Sequence, residues 1–407
     1  MDERRYFGLD ALRGGMMLLG ILFHAAMLYL AAPPPSMPMP SDPNNWFGFD
    51  ILFGFIHSFR MPVFFVMAGF FASLLVDKRG LRGTLGNRAA RIAAPLALAI
   101  FTILPLTALL HIDFMLSARF GTHTLIPERP LVAALAAELA AKGMPVQPML
   151  AHLWFLYYLC FFYLLLPACR ALVRIEAFNQ RMRRWLNTPW LVTACVLVTA
   201  ATLWPYQGGQ VHEGFIYFKP HLPSLLYYGW FFVCGYVLHQ QRDGPSGALP
   251  ALMRRVPAAA LLAAALFPLS MVASHLDHSA HGVSVALHAM AVLANAACTW
   301  ALICFFTGSA LRFFDRASPW SLYVSQSSYW VFLIHMPLVL LAGWWLVPFD
   351  LPAMVKFLLV CSFTAVGGFV SFHYAVQKSR LSDLLHGRRF NLQWPWQAQE
   401  SAQQPQQ

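Results

Sequence analysis

The chain has 407 residues, of which 58% are hydrophobic and only 11% charged, and a formal net charge of +11. Ordinary soluble domains carry about 25% charged residues. This composition therefore excludes a water-soluble globular enzyme and predicts an all-α, polytopic integral membrane protein, because helices satisfy their own backbone hydrogen bonds in lipid. The positive excess reads as topology and contact with membrane lipids, and gives no reason to propose nucleic acid.

A span needs about 20 apolar residues. Taken in chain order, ten helices are expected near 8–31, 50–76, 92–111, 150–169, 189–205, 223–240, 257–274, 284–308, 318–347 and 354–375. An even number puts both termini on one side. The two tails and the even-numbered linkers hold 21 of the 28 Lys and Arg residues, so the positive-inside rule makes both termini cytoplasmic. Arg4, Arg5, the following apolar run and "LAAPPPS" look like a secretory signal. The run exceeds the usual 7–15-residue apolar region and carries ionisable groups, so it is expected to stay as the first span.

Elsewhere the organisation is plain. "PPPSMPMPSDPNN", ending at Asn45, is an external loop by its prolines. Residues 1–385 form one membrane domain, and 386–407 read as a polar, disordered tail. Seven cysteines fall within or against apolar spans without a C-x-x-C pair, which favours neither a disulfide framework nor a zinc site. "SHLDHSAHG" clusters His275, Asp277, His278 and His281, but the spacing matches no standard zinc pattern.

The informative residues are charges at depth. "GLDALRGGMMLLGILFH" at 8–24 carries Asp10, Arg13 and His24, and an ionised group in hydrocarbon costs at least a few kcal/mol. Asp10 lies three residues before Arg13, within reach of an ion pair. Arg13 and His24 are eleven apart, so they share a helix face and stand about 16 Å apart along its axis. His57 and Arg60 enter with the second helix, His152 and Trp154 open the fourth, and Ser328 and His335 share a face of the ninth. Counted from their helix ends, the four histidines and Arg60 fall at one depth, which predicts a polar cavity opening outward. Arg88 and Arg91, three apart, make a plausible phosphate clamp. Each has a plainer reading: a hydrogen-bonded core histidine, a topology arginine, or a serine bonded to its own helix.

Together these residues resemble the acyltransferase-3 family of multispanning membrane enzymes. The likeness rests on Arg13 and His24 at Arg-x10-His spacing, "FRMPVFFVMAGF", the R-x-x-R of Arg88 and Arg91, and "SSYWVFLIHMP". It spans roughly residues 5–375. "FIHSFRMPVFFV" and "HLWFL" bring it nearest to members that add succinyl groups to periplasmic glucans. The resemblance implies an O-acyltransferase with no permanently bound cofactor and no metal. Its donor would be acyl-CoA, in this subgroup succinyl-CoA, with phosphates near Arg88, Arg91 and Arg13. His24 would be the general base, as its ordinary pKa near 6.5 suits the role. His335, His57 or Tyr329 would orient His24 or donate to the oxyanion, and Trp154 and Ser328 belong with the substrate-binding set. Implied partners are acyl-CoA, a periplasmic glucan or other polysaccharide, and glucan synthesis proteins. One departure stands out: many members have histidine where this chain has Arg60, and a planar, permanent cation pairs well with a carboxylate. Two rivals stay open at this point, O-acetylation of another envelope polysaccharide and a proton-coupled exporter.

Overall fold

A computed structural model describes residues 6–34, 41–124, 128–141, 149–185, 188–211, 217–243, 247–279 and 284–397. Among these the architecture is all-helical. The chain begins with α1 (Phe7–Met27), α2 (Gly48–Arg88), α3 (Ala94–Phe101), α4 (Ile103–Phe120) and α5 (Arg129–Ala141). It continues through α6 (Trp154–Leu164), α7 (Leu166–Val173), α8 (Glu176–Trp185), α9 (Pro189–Leu203), α10 (Leu222–Gln240) and α11 (Ala248–Arg254). The last five helices are α12 (Val256–Ser279), α13 (Val285–Phe313), α14 (Pro319–Leu346), α15 (Ala353–Ser371) and α16 (Arg380–His386).

Every one of the ten expected segments is helical. Among the described residues, seven helical stretches are long and apolar enough to cross a membrane, and the pair α6–α7, bent by 49°, makes an eighth if it counts as one span. The sequence count of ten also needs α9, which has 15 residues, and α10. The third segment differs from its expected 92–111. It opens with a π turn at Ala89–Ala93, breaks at Thr102 and runs on to Phe120. The Thr102 hydroxyl donates to the Leu98 carbonyl at 2.8 Å, the local back-bonding that bends helices.

Small residues set how the helices pack. α2 and α10 run parallel and meet through Gly69 and Gly235, where an added Cβ would lie 1.9 Å from the Phe232 and Val66 carbonyl oxygens respectively. Glycine is required for that approach, as in many membrane helix pairs. α1 runs parallel to α14, since Gly14 meets Ser325, His24 meets His335, and Gly343 meets Leu28. It runs antiparallel to α2, with Tyr6 on Phe70 and Phe23 on Phe53.

Two expectations about charge and order are resolved by packing. Lys356, a lysine within an apolar span, is fully buried against an equally buried Asp42 at 2.8 Å, and also donates to Asn44 Oδ1 at 3.0 Å. That pair ties the proline-rich loop to α15. The segment 386–397, read as disordered tail, folds back instead: the Phe390 amide donates to the Gln377 carbonyl at 2.7 Å, and Trp394 stacks on His373 at 4.1 Å. Three aromatic side chains (Phe390, Trp394, Trp396) give this stretch the apolar area that its polar composition hides. Residues 398–407 lie outside the described residues.

Candidate active site

α1 carries two sites on one face. Near its start, Arg13 pairs with Asp10 at 3.3 Å and donates to the Ser325 hydroxyl at 3.2 Å. Arg13 also lines a cavity of about 360 Å³, together with Arg79, Asn87, Arg88, Arg91, Ser328, Tyr329 and His386. Among the described residues, no carboxylate lines it. Arg13, Arg88 and Arg91, placed apart by up to 78 positions of sequence, thus meet in one basic cavity at the end of the bundle where α1 begins and α16 sits.

Two of those arginines behave differently. Arg88 stands over the Tyr163 ring at 5.4 Å, with its Nε buried and lacking a hydrogen-bond partner. Arg91 donates to the Asp383 carbonyl and, at 3.0 Å, to the Leu384 carbonyl. It therefore caps the C-terminal end of α16, where unsatisfied carbonyls favour a cation. Of the expected clamp, Arg88 has an unpartnered Nε in the cavity wall, and Arg91 commits donors to the fold.

The second site lies further along α1. The His24 ring is 5.1 Å from that of His335, and His335 is 5.0 Å from His152. Arg60 lies 4.8 Å over the Phe23 ring and is 8% exposed, and no carboxylate among the described residues pairs with it. Gly20 makes the room. A Cβ there would lie 2.6 Å from Arg60 Nη1 and 3.4 Å from His335 Nε2.

The "HMP" and "FRMP" motifs have a common physical use. Pro337 cannot donate to the carbonyl four residues back, and that freed Leu333 carbonyl receives His152 Nε2–H at 2.9 Å. Pro62 frees the Ser58 carbonyl in the same way, and the Thr299 hydroxyl donates to it at 2.9 Å. His335 donates Nδ1–H to the Phe332 carbonyl at 2.5 Å, leaving Nε2 as its lone-pair nitrogen in the neutral ring. His335 Nε2, His152 Nδ1 and His24 Nδ1 are all buried without hydrogen-bond partners. Just before His152, Ala151 has φ 46°, the left-handed region that non-glycine residues seldom adopt.

Four expected site residues fall elsewhere. His57 is separated from His24 by the Phe23 ring, which it stacks against at 6.0 Å, and it donates to the Val211 carbonyl at 3.1 Å. Tyr329 cannot reach an oxyanion at His24, because its hydroxyl donates to the Arg91 carbonyl at 2.9 Å. Ser328 donates to the Ser325 carbonyl of its own helix at 3.2 Å, and both residues line the basic cavity. Seven residues separate Ser328 from His335, about 10 Å along the axis, so a shared face does not mean a shared site. Trp154 is buried in an aromatic core against Tyr228 at 5.1 Å and Tyr158 at 5.5 Å, which leaves no open face for a sugar.

The cluster at 275–281 is mostly helix rather than loop. Asp277 accepts from the Gly208 amide at 2.7 Å and His288 Nδ1 at 2.9 Å. No three His, Cys, Asp or Glu side chains converge on a metal-sized site among the described residues, and His281 lies outside them.

These helices define a polytopic membrane protein with a basic cavity at one end and a histidine–arginine cluster further along the same helix. The chain belongs to the acyltransferase-3 family: the family model described as "Acyltransferase domain" matches residues 6–373. It is an integral membrane member of that family. Glucans biosynthesis protein C of Escherichia coli O1:K1 / APEC and that of Escherichia coli O139:H28 (strain E24377A / ETEC) are each 37% identical to it over 98 residues. That stretch is 24% of this chain and 24% of theirs, so the chain aligns with about a quarter of the relatives' length. No solved structure matches it.

Sequence reasoning missed α16. Its signal was present: an amphipathic "RLSDLLH" preceding Gly387, which ends the helix at φ 80°.

Proposed function

We propose that the protein moves a succinyl group from cytoplasmic acyl-CoA to a hydroxyl of a periplasmic glucan, across the inner membrane, with both termini cytoplasmic. The observation that carries this reading is the pair of sites on one face of α1, a basic cavity at Arg13 and a histidine cluster at His24. CoA phosphates meet Arg88 and Arg13, and the extended pantetheine arm follows α1 for about 16 Å, the rise over eleven residues. Phe155 lines the basic cavity and packs edge-on to Phe332, which in turn packs on His335. That ring layer is what the arm must pass.

At the outer site His24 takes the proton of the glucan hydroxyl as its oxygen attacks the thioester carbonyl. The C–O bond forms, the C–S bond breaks, and the proton passes to the departing CoA thiolate. His335, its tautomer held by the Phe332 carbonyl, offers Nε2 to orient His24. Arg60, which no carboxylate among the described residues pairs with, is suited to the free carboxylate of a succinyl group. The similarity to glucans biosynthesis protein C supports a glucan acceptor, and membrane lipids and glucan synthesis proteins are its expected company. Mass spectrometry of periplasmic glucans from cells with and without the protein tests donor and acceptor together: loss of succinyl groups is expected, and loss of acetyl groups from another envelope polysaccharide would replace this reading.

A further inference from the structure

His386 ends α16 and enters the basic cavity from the segment beyond the last span. Its ring stands edge-on to Phe390 at 5.1 Å and Tyr329 at 6.2 Å. Its Nε2 is buried and has no hydrogen-bond partner, although the residue lines the cavity. The charged groups acting on it are Arg13 from α1, Arg91 from the π turn, and Arg388 from its own segment. Arg79 and Arg88 line the same cavity. On α16 itself, Asp383 is engaged by Arg389 at 2.8 Å. On the second π turn, Phe372–Val376, His373 stacks on Trp394 and shares a hydrogen bond with the Tyr323 hydroxyl at 3.2 Å. α3 brings no titratable side chain. Burial, and then the three guanidinium groups, push the His386 imidazole down to about 4. At neutral pH it is an uncharged ring with a free nitrogen among cations.

We infer that His386 is a contact residue for the phosphate end of the donor, and that the site takes up a proton at this imidazole as the polyanion binds. The inference rests on the acyl-CoA reading for its ligand and goes beyond it in residue and linkage. A phosphate group compensates the arginines that repel a proton from the ring, so the imidazolium becomes favourable where it was not. It then donates to a phosphate oxygen in a charge-assisted hydrogen bond. The proton comes from water and returns to water when CoA leaves.

The sign follows from linkage. A group whose pKa rises on binding makes affinity increase as pH falls through the bound value. If the bound ring regains its ordinary value near 6.5, affinity should rise about fourfold from pH 8 to pH 6. The second ionisation of a phosphate, near pH 6, contributes equally in wild type and variants and cancels in the comparison.

The test is calorimetry on the full chain in lipid nanodiscs, with acetyl-CoA and separately with pyrophosphate. Each titration is run at pH 6.5 in two buffers of different ionisation heat, for wild type, His386→Asn and His386→Gln. Wild type is expected to take up a substantial fraction of one proton more than either variant does, with either probe. Acetyl-CoA binding with the same proton exchange in wild type and both variants overturns the role of His386 and leaves the donor reading standing. Pyrophosphate binding with His386-dependent uptake but no acetyl-CoA binding supports the anion site and sinks the donor reading. Binding of neither probe overturns the anion site itself.

Discussion

His24 and His335 face each other from two parallel helices with ring centroids 5.1 Å apart, and each has a buried nitrogen without a partner. Two orphaned imidazole nitrogens side by side are costly to leave unsatisfied, and the proposed mechanism gives both a task. His24→Ala should lower turnover of acyl transfer by about 10²–10⁴-fold. Donor affinity should hold, because the proposed phosphate site lies about 16 Å away. Steady-state kinetics on purified protein check this; near wild-type turnover would remove His24 from the chemistry.

Arg88 and Arg91 should separate in experiment, although they are three residues apart. Arg88→Ala should weaken acyl-CoA binding roughly tenfold or more, the worth of a charge-assisted hydrogen bond. The C-terminal segment should stay docked. Arg91→Ala should release α16, read as a shifted Trp394 and Trp396 emission and faster proteolysis after residue 376. Identical phenotypes would mean that both act only through the fold.

Arg60 should set donor choice. Arg60→His removes the permanent charge and the donor fork, which a neutral acyl group does not use. The ratio of kcat/KM for succinyl-CoA to that for acetyl-CoA should fall at least tenfold, since stranding a buried charge costs about 3–5 kcal/mol. An equal loss with both donors would make Arg60 a packing residue.

Pro337→Ala restores a donor to the Leu333 carbonyl, which then competes with His152. Activity should drop by roughly two- to tenfold, the range of one ordinary hydrogen bond, while thermal stability holds or rises. Loss of stability together with activity would mean that the proline serves the fold.

Lys356→Met leaves the Asp42 carboxylate buried without its partner. The expected loss is about 3–5 kcal/mol of stability, seen as a lower Tm in detergent. Adding Asp42→Asn should recover much of it, and a single variant as stable as wild type would contradict burial of this pair.

Composition and apolar periodicity determined the class, the ten helical segments and the charged face of α1, because a membrane helix must read as one apolar run and a charge within it cannot hide. Residues on one helix were legible too: Asp10 with Arg13 at three apart, and Arg13 with His24 at eleven, follow from helical geometry alone. What the sequence could not decide was which helices share a wall. Depth counted from helix ends put His57 and His24 at one level, yet the Phe23 ring stands between them. A shared face joined Ser328 to His335, yet one opens on the basic cavity and the other on the histidine cluster. Only packing brought His152 to the carbonyl that Pro337 frees, gave Lys356 its partner more than 300 residues away, and folded α16 back onto Arg91. Those contacts depend on which surfaces meet in three dimensions, and one chain's periodicity carries no record of that.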